Sequence, residues 1–221
     1  MTPKQSFQES INGSNHLYHM YIELRKFRGL GKRGRLDAQN NSLLWIPRSS
    51  VVMSISALDA YIHSVILERV PQILRAGNIP DDLASALAGI MPVKDAKSFL
   101  ASWPYISGGN SISLLTDKLK ENLSFISYQA PEKIILGYKL IGVDNVFASV
   151  AEKWQGPNST EADIKRTLAG YVKRRNQIAH EGDLEANHSS RAISPDYAKR
   201  CHDFVDTLVN RLDNLVYATK K

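Results

Sequence analysis

The strongest constraint on the fold is a single apolar stripe. Val51, Ile55, Leu58, Ile62, Val65 and Ile66 recur at steps of three and four residues. This is the period of a helix that buries one face; a strand turns successive side chains to opposite sides and cannot bury that set. Pro47, Ser49 and Ser50 signal the start, and Pro71 kinks or ends the run, so a helix is predicted over about 48–75. Strand signals are scarce: there is little two-residue alternation, and no Asn-Gly or Asp-Gly turn lies between β-branched runs.

Helical signals fill the rest of the chain. A first helix is expected over 5–27, weakened or broken by Asn12-Gly13-Ser14. Short helices follow at 81–90, at 94–102 (stopped by Trp103-Pro104), at 112–128, at 131–141 and at 144–154. Ser159 or Thr160 caps a long helix at 160–180, with Glu161 and Asp163 favouring its N-terminus and Gly182 placed to end it. Ser194-Pro195 opens a last helix, 195–218, carrying Phe204, Leu208, Leu212 and Leu215. With 43% hydrophobic and 23% charged residues the composition is that of a globular chain. The expected fold is one all-α domain, a bundle around the long helices 48–75, 160–180 and 195–218. Residues 1–44 form an N-terminal helix and a basic loop packed on that domain, and 45–218 form its body.

The charge is unevenly placed. Residues 25–35, RKFRGLGKRGR, hold Arg25, Lys26, Arg28, Lys32, Arg33 and Arg35 and no acid. Taking these six from the chain's 28 basic residues leaves 22, equal to its 22 acidic residues, so the whole +6 excess lies here. Such a segment is either a solvated loop or a contact for a polyanion, with RNA the expected partner. Gly29, Gly31 and Gly34 let it adapt to a strand. Cys201, the one cysteine, allows no internal disulfide and suits a reducing cytoplasm. The first residues show no signal-peptide pattern, and no unbroken apolar run reaches the ~18 residues of a membrane span. His16 and His19 lack further ligands at metal spacing, so neither a metal nor another cofactor is expected.

The residues with chemistry lie at the end of the 160–180 helix. At about 100° per residue, Ile164, Leu168, Tyr171, Val172, Ile178 and Ala179 share one face. Arg175 falls near the middle of that face, Arg174 about a quarter-turn away and Lys173 opposite. A charge on an apolar face needs a partner, a ligand or a function. Arg174 and Lys173 are expected to be solvated, with RNA contact as their functional reading. Asn176 and His180, four residues apart, flank the stripe. Arg175 can hold a phosphate through two parallel hydrogen bonds, His180 can move a proton near neutral pH, and Asn176 can orient either. A salt-bridged arginine beside a capping histidine would need no chemistry.

The run Arg175-Asn176-Gln177-Ile178-Ala179-His180 resembles the R-N-x-x-x-H signature of HEPN domains, and VVMSISALDAYIHSVI is similar to the long early helix of the RiboL-PSP type. The resemblance covers about 45–218. It implies an all-α fold and a metal-independent endoribonuclease in which Arg175 binds the scissile phosphate, His180 is the general acid or base and Asn176 positions them. The 2′-hydroxyl would attack and leave a 2′,3′-cyclic phosphate. The resemblance also implies a homodimer whose two motifs meet in one cleft, and a setting in toxin–antitoxin or anti-phage defence with a cognate antitoxin or other partner. Because such domains carry a polar residue on the early helix, Asp59 is expected to pair with Arg175 or to orient His180, unless it is an ordinary surface aspartate. The alternatives are an inactive HEPN module binding a protein or nucleic acid, and a helical nucleic-acid-binding protein without an active site.

Overall fold

The computed structural model describes residues 1–31, 35–91, 93–157 and 159–218. Among them, the α-helices are α1 (Pro3–Phe27), α2 (Trp45–Ala76), α3 (Asp81–Ile90), α4 (Ala96–Ser107), α5 (Ser111–Leu123), α6 (Pro131–Lys139), α7 (Val146–Glu152), α8 (Glu161–His180) and α9 (Pro195–Tyr217). A 3-10 turn, Ala38–Leu44, leads into α2. The described residues form no strand, only one antiparallel bridge between Leu184 and Ser190. The fold is the all-α one that the periodicity predicts.

The chain folds as two compact units, Met1–Tyr61 with Phe147–Lys221, and Ile62–Val146. Helix α2 contributes to both. Residues 1–44 are built into the first unit, where α1 packs along α9.

The first unit's core draws Phe7 and Ile11 from α1, Val51, Ile55 and Leu58 from α2, Ile164 and Leu168 from α8, and Val205, Leu208, Val209 and Leu212 from α9, all buried. Each such side chain contributes about 1.5–3 kcal/mol on leaving water. Helix α1 is continuous through Asn12-Gly13-Ser14, where weakening or a break is expected from sequence. Tertiary contact outweighs the local cost of glycine. A Cβ at Gly13 would lie 2.5 Å from Met53 Cε, so glycine admits α2 there. The buried Ser14 hydroxyl lies 2.9 Å from Ser50 Oγ and 2.6 Å from Ser54 Oγ. Asn12 is exposed and costs little.

Two helices run through a proline: α2 keeps about the span expected for it, whereas α4 passes the proline expected to stop it. Helix α2 continues past Pro71 to Ala76, and α4 continues past Pro104 to Ser107. Each loses one helical donor at the proline, yet flanking turns persist. The segment Ala38–Ala76 is long and apolar enough to cross a membrane, but 56% of its most apolar window is buried within the fold, which accounts for its composition.

In the second unit, Ile62, Val65, Ile66, Leu83, Leu119, Ile134 and Tyr138 are buried. His63 is a core-edge residue: its Nε2 lies 2.9 Å from the Ile126 carbonyl and its ring meets Tyr128 edge-on at 4.9 Å.

Candidate active site at the end of α8

Helix α8 starts where Thr160 Oγ1 accepts the Asp163 amide, with Glu161 and Asp163 in the first turn facing the positive end of the helix dipole. Ile164, Leu168, Tyr171, Val172 and Ile178 form its buried stripe. Ala179, expected on that stripe, is exposed, and Arg175 is half-buried at its edge.

The helix ends in a tight reversal. The Gln177 carbonyl accepts the amides of both Glu181 (3.2 Å) and Asp183 (2.9 Å). Gly182 and Asp183 both take left-handed backbone conformations, φ 61° and 59°. Aspartate tolerates that region better than most residues. The reversal leaves the Asp183 side chain fully buried.

Two arginines meet it. Arg48, itself buried, bonds one carboxylate oxygen through Nε and the Arg191 carbonyl through Nη2 at 2.8 Å. Arg174 Nη1 reaches the other oxygen at 2.5 Å, and its Nη2 donates to Ala192 O at 3.1 Å. Arg191 in turn pairs with Glu181 at 2.8 Å. The network holds three guanidiniums and two carboxylates, a net charge of +1. Arg174 was expected to be solvated or to touch RNA; it is instead committed to a buried ion pair, because the reversal at Gly182 brings Asp183 beneath it. Neither Arg48 nor Asp183 is marked by sequence pattern as part of this region.

Arg175 is the freer arginine. Its Nη1 lies 3.2 Å from Asn176 Oδ1 and 3.4 Å from His180 Nε2, while its Nε is enclosed without a hydrogen-bond partner. Asn176 and His180 are exposed, as is Lys173. The three motif side chains thus converge at an open helix end. Asp59 is not among the groups that Arg175 or His180 bonds; it is half-buried on α2 with contacts of its own. The acid that organises this helix end is Asp183, whose partner is Arg174.

The basic segment divides likewise. Arg25 is buried, its Nε donating to Gly31 O at 2.8 Å and its Nη1 to Tyr21 Oη at 3.0 Å. It holds the chain reversal after α1 and is withdrawn from the open cationic surface on which it was expected. Lys26, Arg28 and Arg35 are exposed, with Arg28 donating to Asn40 Oδ1 at 2.9 Å. Lys32 and Arg33 lie outside the described residues.

His202, on α9, is half-buried with its Nδ1 unpartnered, and burial pushes its pKa down. Cys201 is buried among apolar groups, which raises its thiol pKa far above the usual range and makes it a poor nucleophile. Among the described residues no three His, Cys, Asp or Glu side chains cluster to hold a metal.

A family model described as RiboL-PSP-HEPN matches residues 22–218. It begins inside α1, so it also takes in much of the N-terminal segment that sequence resemblance left out. No curated protein and no solved structure matches the chain.

Proposed function

The chain belongs to the RiboL-PSP-HEPN family, and from that premise we propose that it is a metal-independent endoribonuclease. The observation that carries the reading is the convergence of Arg175, Asn176 and His180 at the exposed end of α8, with the guanidinium 3.4 Å from the imidazole and bonded to no carboxylate among the described residues. An arginine there has donors left for a phosphate.

In this reading, Arg175 binds a non-bridging oxygen of the scissile phosphate and stabilises the charge that grows on it. His180 takes the proton from the 2′-hydroxyl or gives one to the departing 5′-oxygen. Asn176 holds the Arg175 guanidinium in place. The 2′-oxygen attacks phosphorus, the bond to the 5′-oxygen breaks, and a 2′,3′-cyclic phosphate and a 5′-hydroxyl result. The active form is a homodimer whose two motifs share a cleft, in a toxin–antitoxin or anti-phage setting. Lys26, Arg28 and Arg35 add attraction for the RNA backbone.

Purified protein incubated with RNA in EDTA tests the reading, beside Arg175→Ala and His180→Ala. Cleavage by the wild type that both variants lose, with a cyclic-phosphate end on the product, is the expected result. Normal cleavage by either variant overturns the mechanism. Binding without cleavage by the wild type indicates a non-catalytic HEPN module.

A further inference from the structure

A groove of about 1270 Å³ opens in the first unit, and Arg175, Asn176 and His180 do not line it. Its walls are α1 at Tyr18 to Arg25, the segment Arg35–Trp45 with Arg48 behind it, and the loop from Ser190 to Ser194 with the start of α9 at Pro195 and Asp196. Three properties define what it can hold. Among the described residues its lining carries four arginines, Arg25, Arg35, Arg48 and Arg191, against two acids, Asp37 and Asp196. Asp37 Oδ1 caps the 3-10 turn by accepting the Asn40 amide at 2.9 Å, and Arg35 is the exposed arginine of the four. Counting the groups that Arg48 and Arg191 bond behind the wall, Arg174, Asp183 and Glu181, the balance is still positive, at +1.

The second property is a stacking surface. Trp45 is 50% exposed on the groove, and the Arg48 guanidinium sits 5.1 Å from its ring centroid. Arg48 is locked by Asp183 and by the Arg191 carbonyl. The indole is therefore backed by an immobile cation, while half of it remains open to solvent. An exposed tryptophan of this kind, in a cationic groove, matches the aromatic platform on which unpaired bases stack. Third, the groove is tied to the motif. Its wall residue Ala192 accepts a hydrogen bond from Arg174, the immediate neighbour of Arg175, and its wall residue Arg191 pairs with Glu181, the immediate neighbour of His180.

We propose that this groove binds single-stranded RNA, one unpaired base stacking on Trp45 and the adjoining phosphates facing Arg35 and Arg191. Asn41 and Ser42, both exposed on the same wall, are the polar groups available to the ribose 2′-hydroxyl. The groove would hold substrate at a distance from the cut, and the loop it shares with the end of α8 would carry occupancy toward the motif. This rests on RNA being the substrate, but not on cleavage by Arg175 and His180.

Binding is read in full-length His180→Ala protein, so that the RNA stays intact. The probe is a fluorescein-labelled eight-nucleotide oligouridylate followed by anisotropy. Trp45→Ala is expected to weaken binding about tenfold or more, the scale of one lost stacked base. Arg35→Ala is expected to reduce the slope of log affinity against log salt by about one. A Trp103→Phe, Trp154→Phe version keeps Trp45 as the only indole and needs no change at the groove; its fluorescence is expected to quench on adding the oligomer. Unchanged affinity in Trp45→Ala, or no quench from the lone Trp45, overturns the proposal. So does equal binding of the deoxy oligomer, or of RNA duplex, or a quench produced by oligoglutamate but not by RNA. A wild type that cuts RNA without these groove effects keeps the nuclease and removes the groove; groove effects without cleavage do the reverse.

Discussion

Arg174 and Arg175 are adjacent in sequence and opposite in use: the first closes on buried Asp183 at 2.5 Å, while the second keeps its guanidinium 3.4 Å from the exposed ring of His180. One is part of the scaffold and the other is held out to the surface. Substitutions at the two positions should therefore divide into effects on folding and effects on catalysis.

Replacing Arg175 by Lys keeps a charge but loses the planar fork that grips two phosphate oxygens. RNA cleavage is expected to fall at least about a hundredfold, the lower end for losing a catalytic group, as is that of His180→Gln. His180 is exposed and Arg175 is only half-buried, with no carboxylate partner to lose, so urea midpoints should stay near wild type. Parallel cleavage rates and unfolding curves check this; a drop in stability matching the loss of activity would sink it.

Asp183→Ala should act the other way. It leaves Arg48 and Arg174 facing each other without a carboxylate. Breaking a buried pair by removing one partner costs about 3–5 kcal/mol. The urea midpoint should fall accordingly. A change below about 1 kcal/mol would show that water reaches the two guanidiniums, the usual circumstance of a surface pair.

Arg25 and Lys26 offer a second neighbouring contrast. Arg25 is buried against Tyr21 and the Gly31 carbonyl, and Lys26 is exposed. Arg25→Ala should lower the melting temperature. Lys26→Ala should leave it alone and weaken RNA binding uniformly across sequences, with a shallower salt dependence. Differential scanning fluorimetry and a salt titration separate the two.

Alkaline pH should destabilise the fold through α9. Burial pushes the Tyr197 hydroxyl up to about 12, and burial likewise raises Tyr171, whose ring it meets edge-on at 5.3 Å. A raised folded pKa means that the unfolded chain ionises first. The contribution is complete below the unfolded value near 10 and is lost as pH rises through 12. Cys201, raised from 9, begins its loss earlier. Tyr197→Phe should flatten the fall in urea midpoint between about pH 10 and 12, and Cys201→Ala should remove the part that begins near 9. In the wild type, a thiol reagent should label Cys201 only as fast as the protein opens.

Much of this fold is legible because helix burial is a local pattern. The stripe Val51, Ile55, Leu58, Ile62, Val65 and Ile66 is buried throughout. Thr160 and Ser194 cap their helices as their side chains require. What escapes is what depends on distance along the chain. Arg48 and Asp183 are 135 residues apart and meet only because the α8 reversal leaves the carboxylate buried. Periodicity marks Arg175 as a charge in an apolar stripe, but it cannot tell that the guanidinium reaches out of the stripe to the exposed ring of His180. Asp183 is the last residue of the run RRNQIAHEGD, visible in position and silent in role. Gly13 and Ser14 read as a helix break because propensity counts the local cost and not the serine hydroxyls of α2. Asp59 stands out by its place on the early helix, whereas the carboxylate that meets Arg174 and Arg48 is on a loop.

The hydroxyls of Ser14, Ser50 and Ser54 have a mechanical consequence. They fasten α1 to α2, as the Phe7–Tyr61 ring contact does farther back, and so mark a pivot for any tilt of the end of α1. Ile22, on the groove wall, stands eight residues beyond that pivot, about 12 Å along the helix axis. On such an arm a tilt of five degrees displaces the wall by about 1 Å. A methyl-sized change at these three buried serines that tilts α1 is thus expected to be felt at the groove wall.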